Sequence, residues 1–276
     1  MTGSDPTTAT MERSATTYEV LAVRYGALDS RKSDLYYRWE TYGEPDGSAQ
    51  MAYYFWVLRG GGKTILLDTG FDPAAAARRK RTCVIPPLEA LRALGIQPGE
   101  VSEVVVSHLH YDHIGNLHAF PEAQLIVPAL ELEFWTGSYA RRPQFAPHAE
   151  AAEIAYVQRA ADEGRVRLTQ GTEEILDGIV AISVGGHSPG QQVTVVETGE
   201  GVVALASDAV HLYDEFEHDR PFAVMHDLER MYAAYDVLKE LARSRGAVVV
   251  PGHDPDVFVR HGGDGKDDNQ VAVRIA

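Results

Sequence analysis

Three consecutive valines, Val104-Val105-Val106, run directly into Ser107-His108-Leu109-His110-Tyr111-Asp112-His113. This junction constrains the chain more than any other stretch. A short β-branched run predicts a buried strand, and side chains at its carboxyl end are delivered to one point in space. There His108, His110, Asp112 and His113 bring three imidazoles and a carboxylate within six residues. Donors of this kind are what zinc and comparable borderline metals take. With 11 histidines in 276 residues, chance clustering is a poor account of the stretch. His118 falls just outside the cluster and reads as surface or structural.

Further donors follow strand-like runs downstream. His187 lies in Val184-Gly185-Gly186-His187-Ser188-Pro189-Gly190, Asp208 ends Val202–Ser207, and His253 follows Val248-Val249-Val250-Pro251-Gly252. Upstream, Ile65-Leu66-Leu67-Asp68-Thr69-Gly70 closes another apolar run with a carboxylate. Taken in this order, the five stretches resemble the metallo-β-lactamase superfamily, and the resemblance extends from about Tyr18 to about Val259. It implies an α+β fold, a four-layered αββα sandwich. It also implies two metal ions, zinc or another divalent metal. The first would be held by His108, His110 and His187, the second by Asp112, His113 and His253, with Asp208 bridging them. Asp68 would support those ligands from behind, a role that suits a carboxylate bonded to an imidazole N–H.

Within the superfamily, the chain is most similar to the N-acyl-homoserine lactone lactonases, the quorum-quenching branch. True β-lactamases place a cysteine where this chain has Asp208. Glyoxalase-II enzymes carry a helical C-terminal domain, and here few residues follow His253. The resemblance therefore implies a hydrolase that opens a lactone ring by attack of a metal-bridging hydroxide, with Asp112 carrying the proton to the leaving alkoxide. Those lactonases place a tyrosine three residues after the bridging aspartate, where this chain has His211, with Tyr213 two further on. Either His211 or Tyr213 would then donate to the oxyanion, or the substrate differs from a homoserine lactone. A thioesterase or other ester hydrolase on the same ions is the nearest alternative, and an iron-dependent persulfide dioxygenase is another.

The net charge of −15 argues against a nucleic-acid surface, which needs a basic stripe, and against docking on anionic lipid. The single cysteine, Cys83, forms no internal disulfide, and the first residues lack the apolar core of a signal peptide, so a cytoplasmic protein is expected. The organisation reads as a disordered leader at 1–16, a single metallo-hydrolase domain at 17–261 and a C-terminal tail at 262–276. Aromatic-rich 34–42 reads either as a loop pinned on the core by its rings or as a wall of the substrate pocket or a homodimer contact; the irregular stretch from Gly137 to His148 reads as a lid or a plain cover of the core, with Arg141 and Arg142 a solvated pair sooner than a contact for an acidic substrate. Strands are expected at Tyr18–Leu28, at Ala52–Leu58 and at Thr64–Leu67. Val166–Leu168 is expected to open a second run of strands that continues through Ala206. The clearest helix is Leu228–Leu241, with Leu228, Met231, Tyr235, Leu238 and Leu241 along one side.

Overall fold

The computed structural model describes residues 16–263 and 270–276, so the expected leader lies almost wholly outside the described residues. Strands β1 (Glu19–Arg31), β2 (Ser48–Gly60), β3 (Lys63–Leu67), β4 (Thr82–Cys83), β5 (Val101–Val105), β6 (Gln124–Pro128) and β7 (Val166–Thr169) belong to one sheet. Strands β8 (Thr172–Leu176), β9 (Ile179–Ser183), β10 (Gln192–Thr198), β11 (Gly201–Ser207) and β12 (Val248–Pro251) form a second. The chain then returns to the first sheet with β13 (Ala272–Arg274), which pairs antiparallel with β1. Part of the expected tail is thus a structural strand. Val166–Leu168, expected with the second run, instead closes the first sheet by pairing parallel to β6.

Side-chain period explains why the sheets stack. Along β2, Tyr53, Phe55 and Val57 enter one core while Tyr54, Trp56 and Leu58 enter another. The ligand-bearing strand behaves alike: Val104 and Val106 face one way, Val105 the other. A strand buried on both faces needs a layer on each side. The inner core lies between the sheets, where Trp56, Leu67 and Val105 meet Val196, Leu205 and Val250.

Helices cover the outer faces. Short α1 (Lys32–Leu35) follows β1; α2 (Pro73–Arg78) and α3 (Pro87–Ala93) lie between β3 and β5. The single turn α4 (Tyr111–Ile114) carries Asp112 and His113. Then α5 (Ala129–Thr136) and α6 (Ala151–Asp162) link β6 to β7, and α6 buries Ile154, Val157 and Ala160 on the first sheet. Beyond β11 come α7 (Tyr213–His218), α8 (Leu228–Arg245) and α9 (Asp256–Arg260). Asp227 caps α8 by accepting from Arg230 N at 3.0 Å, and Met231, Ala234, Tyr235 and Leu238 bury its inner side over the second sheet. The four layers are therefore helix, sheet, sheet, helix. No described helix is long and apolar enough to cross a membrane.

Candidate metal centre

Five loops, each at the carboxyl end of a strand, meet at one edge of the sandwich. They follow β3 (Asp68), β5 (His108 to His113), β9 (His187), β11 (Asp208 and His211) and β12 (His253). Parallel pairing of β3 with β5, and of β11 with β12, brings their carboxyl ends to the same side. Asp68 and Ser207 both adopt left-handed backbone, with φ of 63° and 47°, which turns the chain sharply where each strand ends. Gly252 allows the β11 and β12 loops to touch, since a Cβ there would stand 2.7 Å from the Ser207 carbonyl carbon. The same loops are tied by Gly252 N donating to Val210 O and His253 N to His211 O, each at 2.9 Å.

The ring nitrogens are aimed by what holds their far side. His187 Nδ1 donates to Val224 O and His253 Nδ1 to Ala52 O, both at 2.9 Å. His113 Nδ1 donates to Asp68 Oδ2 at 2.8 Å, and His108 Nδ1 sits 3.0 Å from Ser107 Oγ. Asp68 also accepts from Ser107 N at 2.8 Å and from Ser107 Oγ at 2.7 Å, so one buried carboxylate organises the start of the ligand loop. Each of these rings presents Nε2 inward, whereas His110 turns Nδ1 to within 2.9 Å of His187 Nε2. An outer hydrogen bond of this kind fixes the tautomer of a metal-binding histidine.

Asp208 stands at the middle and divides its oxygens. Oδ1 lies 3.0 Å from His253 Nε2 and 3.2 Å from His113 Nε2. Oδ2 lies 3.3 Å from His187 Nε2, 3.8 Å from His108 Nε2 and 3.2 Å from His211 Nε2. Ligands bound at about 2.0–2.2 Å around a tetrahedral ion sit roughly 3.3–3.6 Å from each other. The spacing fits a metal, and the donors fall into groups no wider than 4.8 Å: His108 with His110 and His187, Asp112 with His113 and His253, and two groups containing Asp208. A second observation supports the fit: Nε2 of His108 and of His113 is buried with no hydrogen-bond partner. Such orphans cost free energy unless something else occupies them.

Electrostatics divide the histidines into two groups. Burial holds His108, His110 and His187 well below the usual imidazole range, which leaves them neutral and able to bind a cation. Against burial, Asp208, Asp68 and Asp112 push His113 well up. Against burial too, Glu215 and Asp208 push His211 up to about 9. His253 and His113 hold Asp208 well below the carboxylate range even though it is buried.

The donors open into a cavity of about 310 Å³ whose wall includes Leu28, Leu35, Met51, Tyr53, Phe222 and Val224. Asp112, His148, His211 and Arg81 also face it. Asp34 and Leu35 bring the aromatic-rich stretch to the wall, while its Tyr36 and Trp39 pack on the outer core. Phe134 and Phe145 line a smaller recess beside His110 and His187. One expectation needs correction. Tyr213 does not face the cavity: its ring packs into the inner core beneath Arg260, 3.6 Å from the guanidinium. Arg141 and Arg142 are exposed, the solvated pair that the sequence suggests, and Arg81 faces the cavity, donating to Tyr111 Oη and to the Arg79 carbonyl, each at 3.2 Å. His118 is exposed, outside the cluster.

Sequence reasoning also missed Glu131. Fully buried on α5, it accepts from Leu109 N at 2.9 Å, from Gly190 N at 2.6 Å and from Trp135 Nε1 at 2.9 Å. One carboxylate therefore ties the loop of His108 and His110 to the loop of His187. The available signal was a glutamate in an otherwise apolar run, Val127-Pro128-Ala129-Leu130-Glu131-Leu132.

Comparison with known proteins agrees with this geometry. The N-acyl homoserine lactonase AiiA of Bacillus thuringiensis subsp. kurstaki is 28% identical over 165 residues, 59% of this chain and 60% of that protein. The N-acyl homoserine lactonase AttM of Azorhizobium caulinodans is 30% identical over 177 residues, 61% of this chain and 64% of that protein. The chain thus spans less than two thirds of the length of these relatives. In fold, a crystal structure of a quorum-quenching N-acyl homoserine lactone lactonase superposes with a TM-score of 0.70 at 23% identity, covering 87% of this chain and 94% of that one. The hydrolase AbOPH of the β-lactamase superfamily gives 0.67 at 19% identity, covering 94% of both chains. A model of the metallo-beta-lactamase superfamily matches residues 50–253, the span that runs from β2 to the last histidine of the site, and the chain belongs to that superfamily.

Proposed function

We propose that the protein is a dinuclear metal-dependent lactonase, with zinc the expected metal and N-acyl-homoserine lactones the first substrates to try. The observation that supports two ions is the division of Asp208, with one oxygen among the nitrogens of His113 and His253 and the other among those of His108 and His187. Support for the substrate class comes from the relatives, which are N-acyl homoserine lactonases. When bound, the ions would supply Lewis acidity to the ester carbonyl and an acidified water as nucleophile.

The chain's own residues do the rest. Leu28, Leu35, Met51, Phe222 and Val224 take an apolar acyl or ring substituent and exclude bulk water from the reacting centre. Asp112 faces the cavity beside His113, with 3.8 Å between its Oδ1 and His113 Nε2. In this reading its carboxylate would take the proton of the attacking water and pass it to the leaving alkoxide, which departs as a hydroxyl. Arg81, held by neutral acceptors, keeps its charge available for a carbonyl or carboxylate oxygen at the cavity wall.

Ring opening converts an ester into a carboxylic acid, so each turnover releases one proton. In a pH-stat, metal-loaded protein should release protons from a lactone panel, chelation should stop the release, and added zinc should restore it. Cleavage of a thioester with no response to any lactone would replace this reading by a thioesterase.

A further inference from the structure

We propose that His211 is itself a metal ligand, adding its Nε2 to the donors on the Oδ2 side of Asp208. The assignment rests on the two-ion reading above and extends it, since that reading needs only His108, His110, Asp112, His113, His187, Asp208 and His253.

Position is the first ground. His211 Nε2 lies 3.2 Å from Asp208 Oδ2, next to the 3.3 Å that His187 Nε2 keeps from the same oxygen. The rings of His187 and His211 are 4.7 Å apart at 67°, and His187, Asp208 and His211 form a donor group of their own within 4.8 Å. The second ground is an unmet bonding need. Three histidines of the site have a buried Nε2 that meets no acceptor in hydrogen-bonding geometry, His108, His113 and His211, although the last two each lie 3.2 Å from an Asp208 oxygen. Two of them belong to the ligand set already described, and His211 shares their condition.

Orientation is the third. Glu215, fully buried at the start of α7, lies 3.4 Å from His211 Nδ1 and accepts from His211 N at 3.2 Å. Tyr235 Oη donates to the same carboxylate oxygen at 3.2 Å, so Glu215 is fixed in turn. A carboxylate on the outer nitrogen is the usual companion of a metal-bound imidazole. Phe222 stacks on the ring at 3.7 Å and 16°, which blocks rotation toward a different partner. An imidazolium pinned between Asp208 and Glu215 would have the same neighbours. The difference is whether Nε2 carries a proton or a metal bond, and that difference is measurable. It bears on chemistry too, because a ligating His211 cannot also serve as the oxyanion donor.

Cobalt-substituted protein tests the assignment. Each imidazole bound to cobalt(II) gives one paramagnetically shifted, solvent-exchangeable N–H proton resonance, and cobalt content is measured on the same sample. The proposal expects about two cobalt ions per chain and six such resonances, from His108, His110, His113, His187, His211 and His253, falling to five in His211→Gln. Two ions with five resonances in the wild type overturn the His211 assignment and leave the two-ion reading intact. Cobalt far below two per chain overturns both. The wild-type count decides the matter even if the variant fails to fold.

Discussion

Glu131 shows how much of a metal site is built by residues that touch no metal. Its carboxylate gathers backbone N–H groups from both ligand loops, so its loss releases His110 and His187 from their mutual spacing of 2.9 Å. Glu131→Gln keeps the volume but gives up one acceptor oxygen. The expected result is metal affinity about tenfold to a hundredfold weaker, read by competition with a chelator, as for other outer-layer partners of metal ligands. Unchanged affinity with a lowered melting temperature would make Glu131 merely a core residue. The donors that the structure gathers at one point were legible in sequence because His108 to His113 are contiguous and the later ones each follow an apolar run. Glu131, Glu215 and Arg81 were not legible, because their meaning depends on which loop lies opposite, and a single sequence does not state that. Tyr213 misled for a related reason: α7 begins at that residue and rotates its ring into the core beneath Arg260.

Among the elements, the strands were read best where both faces are apolar, as in β2 and β5. β7 was put in the wrong sheet because its pairing with β6 is made across α5 and α6 rather than through a turn. Helix α6 carries a testable liability. Burial, reinforced by Glu150, raises the Glu153 carboxyl to about 8 from an ordinary 4.5. Between those values the folded chain keeps a proton that the unfolded chain has lost, so stability falls as pH rises through the window. After allowance for partial exposure, the effect is roughly 1–2 kcal/mol. Glu153→Gln should therefore match the wild type near pH 5.5 and exceed it near pH 8.5, by about 2–4 °C for each kcal/mol. A difference that stays constant across that range, followed by calorimetry, would refute the assignment.

At the scale of the whole molecule, the proposed ions join the two sheets. His108, His110, Asp112 and His113 hang from the first sheet; His187, Asp208 and His253 hang from the second. A cation that binds only the folded chain stabilises it by mass action, about 2.7 kcal/mol at a hundredfold excess over Kd. Chelation should lower the melting temperature by several degrees. Asp208→Ala, which removes the shared carboxylate, should start from the lower value and respond little. Equal melting temperatures with and without chelator would deny the ions any such role.

The order of the donors along the chain bears on how the protein is made. His253 follows every other candidate ligand, and β13 comes after it to take its place beside β1. During synthesis the first sheet can gather most of its strands while the second half of the cage does not yet exist. The emerging chain therefore offers a cluster of exposed imidazoles with neither Asp208 nor His253 to complete it. Metal delivered at that stage would meet an open, weak site. On the two-ion proposal, the full donor set exists only once β12 has delivered His253.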